Sequence, residues 1–223
     1  MNIAKKYQDF YSEHADKKKA EFDRGLVQTA YEIKGVRTSE LERFAKELGK
    51  EEVDLSALPL NCHEDILLKG FLIAKKKDID KEKELSALLP YIDNWATCDM
   101  IVSRIKNAMR SDFFVKLLKS DKPFYKRVGI VWLKNNRLKT NLTETLKQIL
   151  SVEDENYYVK MAKAWAMADA FAISFDQTFE FLKNCKDEFV FQKSISKACE
   201  SFRVKEEDKR KLKEFKRGKK NAG

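Results

Sequence analysis

Glycine and proline are scarce, 7 and 3 in 223 residues, well below ordinary usage. Few sharp turns are available, which excludes a sandwich or barrel of many short strands and favours helices. Histidine is nearly absent, with only His14 and His63, and Cys62, Cys98, Cys185 and Cys199 show no CxxC spacing. That argues against a zinc site; free, mostly buried thiols in a reducing compartment are the simplest account. Long apolar runs are missing too. The most apolar stretch, 164–175, contains Asp169 and is too short to span a bilayer, and the first seven residues hold no apolar core of a signal peptide. These absences predict a soluble, cytoplasmic protein.

Acidic residues are scarce in one place only. Residues 100–150 carry 12 Lys and Arg against Asp112, Asp121 and Glu144, whereas residues 1–99 carry 17 against 20 and residues 151–204 carry 7 against 9. The tail from 205 adds 9 against 4, and the whole chain has a formal net charge of +9. A basic block inside the chain predicts a bound polyanion; a lysine-rich tail is weaker evidence, because charged termini often serve solubility.

Apolar residues recur at helical spacing throughout. They predict helices over 2–14, 17–31, 38–48, 63–77, 80–89, 95–109, 112–118, 124–135, 142–150, 156–171, 176–184, 189–201 and 206–217, with a short segment at 54–60. Thr38 and Ser39 read as a capping box, Gly49 as a C-terminal stop and Pro123 as a first-turn proline. About a dozen helices with tight connections pack as antiparallel pairs, and stacked pairs make an α-solenoid with a concave face. The fold class is all-α, in a single helical-repeat domain spanning 1–223.

The stretch 91–102 carries the candidate chemistry. Asp93 or Asn94 caps a helix on which Trp95 and Asp99 lie four residues apart, on one face. An aromatic ring beside a carboxylate suits a flat cationic group, since the ring stacks on it and the carboxylate answers its charge. The plain alternative is a core Trp95 and a solvated or helix-bonded Asp99. Trp165 lies in a very apolar helix, where a core role is the usual explanation, and Tyr158 shares its face seven residues earlier. Trp132 reads as core, with its indole N–H paired.

In order along the chain, several stretches resemble the AlkD-type DNA alkylation repair glycosylases, a family of HEAT-like helical repeats. Asn94-Trp95-Ala96-Thr97-Cys98-Asp99 is similar to the family's Trp-x3-Asp helix. Lys126-Arg127-Val128-Gly129-Ile130-Val131 is similar to its helix with an inward Arg. Residues 156–165, from Asn156-Tyr157-Tyr158 to Trp165, resemble its aromatic-pair helix. Residues 191–203, through Glu200-Ser201-Phe202-Arg203, resemble its C-terminal signature. Gly35-Val36-Arg37-Thr38-Ser39 is similar to an early segment, with Ser39 where proline is common. The resemblance implies excision of cationic N-alkylated purines, such as 3-methyladenine and 7-methylguanine, from duplex DNA. Asp99 falls on the catalytic carboxylate, Trp95 and Trp165 on the aromatics that frame the lesion, and Arg127 on the phosphate-binding Arg. Lys126, Lys134 and Tyr158 are further candidate DNA contacts. No metal or other cofactor is implied, and a monomer without an obligate protein partner is expected. The alternative is a non-catalytic HEAT-repeat protein that recognises distorted or branched DNA; a protein-binding scaffold is disfavoured by the charge of residues 100–150.

Overall fold

The computed structural model describes residues 3–105 and 109–221, with side chains in the last helix as far as Lys216. Among these residues all regular structure is helical: thirteen α-helices and two 3-10 turns, Leu55–Ala57 and Leu89–Tyr91, with one isolated bridge between Glu32 and Cys62. The all-α expectation holds. No described helix is long and apolar enough to cross a membrane. The chain divides into two compact units, Met1–Met109 and Arg110–Gly223.

The first unit contains α1 (Ile3–His14), α2 (Lys17–Leu26), α3 (Thr38–Leu48), α4 (His63–Lys75), α5 (Lys81–Leu88) and α6 (Trp95–Val102). Residues 63–73 of α4 are all buried, the mark of a helix surrounded on every side, and α3, α5 and α6 pack on it. Gly70 permits a close approach of α6: a Cβ there would stand 2.5 Å from the side chain of Ile101.

Several helix starts follow the sequence signals. Asp16, Asp80 and Asn94 cap α2, α5 and α6 through their side-chain oxygens. The expected capping box at Thr38 and Ser39 is absent: Arg37 is the N-cap of α3 without a side-chain hydrogen bond, and the Thr38 hydroxyl turns to the Met100 sulfur at 3.8 Å. Two helices end earlier than periodicity suggests. α2 stops at Leu26 instead of 31 because the chain beyond it is claimed by other partners. Buried Glu64 accepts hydrogen bonds from the backbone N–H groups of Lys34, Gly35 and Val36, and Asp93 accepts from Ala30 N–H at 2.7 Å. Gly35 has φ +78°, and a Cβ there would lie 2.1 Å from the Asp16 carbonyl oxygen, so only glycine fits. α6 stops at Val102 rather than 109. The carbonyl of Met100 takes hydrogen bonds from Ser103 Oγ at 3.0 Å and Arg104 Nη1 at 2.6 Å. Arg104 also pairs with Glu42 and lies 4.1 Å over the Phe71 ring. Positions 106–108 of that expectation lie outside the described residues.

The second unit contains α7 (Ser111–Leu117), α8 (Pro123–Asn136), α9 (Leu142–Leu150), α10 (Tyr157–Phe171), α11 (Phe175–Lys183), α12 (Glu188–Glu200) and α13 (Glu206–Asn221). Pro123 opens α8 as expected. α10 is central, packing on α8, α9, α11 and α12. Trp132 is core, stacked on Phe114 with ring centroids 4.2 Å apart, but its indole N–H finds no acceptor among the described residues, contrary to expectation. α13 is tied in by Leu212, which is buried, and by Phe215, set edge-on to Phe179 and Phe191.

Candidate active site and nucleic-acid interface

α6 turns most of its side chains inward. Ala96, Thr97, Cys98, Ile101 and Val102 are buried, while Trp95, Asp99 and Met100 are partly exposed. Trp95 and Asp99 therefore share the accessible side of the helix, one turn apart. Trp95 is anchored rather than engulfed. It packs against the cluster of Ala20, Val27, Ile33 and Ala96, and its Nε1 donates to the Leu26 carbonyl at 3.3 Å.

A buried polar network fixes the start of α6. Asn94 Oδ1 accepts from Thr97 N–H at 2.9 Å, and Asn94 Nδ2 donates to Asp93 at 2.8 Å and to Thr97 Oγ1 at 2.9 Å. Asp93 in turn accepts from Thr29 Oγ1 at 2.8 Å. Thr97 Oγ1 lies 3.0 Å from Nδ1 of buried His63. Burial pushes the His63 pKa down, against the opposing pull of Glu64, Asp93 and Asp23, so the ring is neutral and Nδ1 can accept the Thr97 hydroxyl proton. Sequence reading offered Asp93 or Asn94 as the cap, which falls on Asn94, but missed His63 and Thr97. The available signal was the pair Asn94 and Thr97 at capping distance on an otherwise apolar helix.

In the second unit, Tyr158, Trp165 and Asp169 are the partly exposed positions along one side of α10, seven and then four residues apart, in a helix otherwise buried from Met161 to Phe171 except for these. Trp165 is therefore not a fully enclosed core residue. Arg127, from α8, is 1% exposed. Its Nη1 donates to the Tyr158 carbonyl at 2.6 Å, and its guanidinium carbon lies 5.5 Å from the Trp165 ring centroid. The structure thus joins Arg127, Tyr158 and Trp165. The Tyr158 ring rests against Phe124, with centroids 5.3 Å apart.

The other candidate cations are already paired. Lys126 Nζ donates to Asp154 at 2.9 Å and to the Glu153 carbonyl at 2.8 Å. Burial alone would raise the Asp154 pKa, but hydrogen bonds from Lys126 and the Asn156 backbone hold it below the usual carboxylate range. Lys134 donates to Asp169 at 2.8 Å, and Asp169 also pairs with Arg203. The exposed positive charge of the basic block sits instead at positions such as Lys116, Lys119, Lys122, Arg137 and Lys139.

Cys62 and Cys98 are buried, and Cys185 and Cys199 are partly buried. Burial beside Asp65 pushes the Cys62 pKa up to about 12, which keeps it an unreactive thiol. Among the described residues, no group of three or more His, Cys, Asp or Glu side chains could hold a metal ion.

A comparison with curated proteins finds no match. The family model described as DNA alkylation repair enzyme, however, matches residues 8–202, a span that runs from within α1 to just beyond α12 and includes every candidate residue above. With most of its length matched, this chain belongs to the DNA alkylation repair enzyme family.

Proposed function

We propose that this protein is a DNA glycosylase that excises cationic N-alkylated purines, such as 3-methyladenine and 7-methylguanine, from duplex DNA. The proposal includes an α-solenoid of HEAT-like repeats acting as a monomer without a cofactor. Alkylating a ring nitrogen gives the base a positive charge and makes it a good leaving group. The C1′–N bond can then break with its electron pair going to the base, which needs no general acid. Water adds to C1′ and loses a proton. What the protein must supply is stabilisation of an oxocarbenium-like sugar and a place for water, and one ionised carboxylate does both.

Asp99 is assigned that role. Trp95 and Trp165 are assigned to the lesion nucleotide, because aromatic faces attract a cation and exclude water. Arg127 is assigned to a phosphate, which it would meet by giving up the Tyr158 carbonyl, with Lys126, Lys134 and Tyr158 as supporting contacts. The observation that carries the reading is the Trp95–Asp99 pair on the accessible side of a helix whose remaining side chains, Met100 apart, are buried, in a family of DNA alkylation repair enzymes. The test is to incubate the protein with methylated duplex DNA and identify the released bases. Free 7-methylguanine or 3-methyladenine supports it. Binding of duplex DNA without base release favours the non-catalytic alternative.

A further inference from the structure

Phe202 is the most exposed large apolar residue of the described chain, at 104% of its reference area, well beyond Phe22 at 68%. A single exposed apolar side chain is ordinary; the way this one is held is not. It lies between α12 and α13, in a connection fixed on both sides. Ser201 Oγ accepts a hydrogen bond from the Arg203 backbone N–H at 3.2 Å. Arg203 extends to Asp169 on α10, and Val204 is buried at 3% in the apolar cluster with Phe191, Ile195 and Leu212. The neighbours are thus anchored inward and sideways, and Phe202 projects outward from a braced turn. Asp169 is one turn beyond Trp165 on the same side of α10, and it also holds Lys134. Phe202 thus immediately precedes the residue, Arg203, that ties this turn to Asp169 at one end of the Trp165 side of α10.

We propose that Phe202 is a DNA-contacting residue that stacks on, or wedges beside, a base of the bound duplex. This rests on the duplex-DNA reading above and adds a contact to it. A planar apolar ring gains little from water, whereas base–aromatic stacking is favourable for every base, and apolar wedges at base steps are a recurrent device of proteins that deform duplexes. Arg203, next in the chain, and the net-basic tail from 205 match a polyanion. The bracing lowers the entropy lost when the ring is fixed against a base.

The test compares wild type, Phe202→Ala and Phe202→Tyr for affinity to a 7-methylguanine-containing duplex over a range of salt, with thermal unfolding measured alongside. Phe202→Ala is expected to bind about tenfold more weakly, the scale of one stacking contact. The loss should be the same at low and high salt, because stacking releases no counterions. Phe202→Tyr keeps the ring and should bind within about twofold of wild type, and unfolding should be unchanged in both variants. Equal affinity of Phe202→Ala and wild type overturns the inference, as does a loss that Phe202→Tyr shares. A wild type that binds duplex but releases no base removes the catalytic reading and leaves this contact standing if the Ala and Tyr variants separate. A wild type that does not bind duplex at all removes both.

Discussion

Arg127 packs its guanidinium between the Trp165 ring and the Tyr158 carbonyl while exposing only 1% of its surface. Removing a buried hydrogen-bonded charge leaves its acceptor unmatched, which costs about 1–3 kcal/mol. Arg127→Ala should therefore lower the melting temperature. If the residue also meets a phosphate, it should weaken duplex binding by about 1–3 kcal/mol, measured on the folded fraction. Lower stability with unchanged affinity would leave Arg127 as a support for Trp165 alone. Arg127→Lys should not rescue, because a lysine ammonium lacks the planar fork of donors that a guanidinium holds in place. The sequence made the 158–165 face legible through its seven-residue spacing. Residue type alone could not separate Lys126 from Arg127, adjacent cations of similar character; only the family resemblance set Arg127 inward. Only packing decides that one is paired near the surface with Asp154 and the other buried.

Element boundaries divide the same way. Starts governed by a local signal were readable: Asn94, offered together with Asp93, as a cap, and Pro123 in a first turn. The ends of α2 and α6 were not, because Glu64, Asp93 and Arg104 draw the chain away through contacts tens of residues distant in sequence. Two predictions follow from how α4 supports α6. Gly70→Ala would push a methyl group into Ile101, and overpacking of that kind costs about 1–3 kcal/mol, read as a drop in the unfolding midpoint. The second concerns His63, whose folded pKa lies below its ordinary 6.5. The unfolded chain therefore binds the extra proton more readily. His63's contribution to stability is full above about pH 6.5, declines as pH falls below that value, and is lost as pH passes through the folded pKa. The slope of melting temperature against pH below 6.5 should flatten in His63→Asn; an unchanged slope would show that other groups set the acid limb.

At the scale of the whole molecule, the helical class was legible from low glycine and proline and from the 3.6-residue pattern. The ordered motifs pointed to DNA alkylation repair, the description carried by the family model that matches residues 8–202. The charge of residues 100–150 was legible as a total but not in its placement, since Lys126, Lys134 and Arg127 are engaged within the fold and residues such as Lys119 and Lys139 carry exposed charge. Duplex affinity should fall steeply as salt rises, because neutralised phosphates release counterions; affinity that is flat across salt would contradict electrostatic binding. The central claim is that the Asp99 charge drives base release. Asp99→Asn keeps the shape and removes the charge. Measured on 7-methylguanine in duplex DNA, its release rate should drop by about a hundredfold or more, the scale for losing a preorganised electrostatic group. Duplex affinity should be unchanged or slightly higher and the melting temperature unchanged. A structural Asp99 gives the contrary result: a lower melting temperature, with binding and base release falling together.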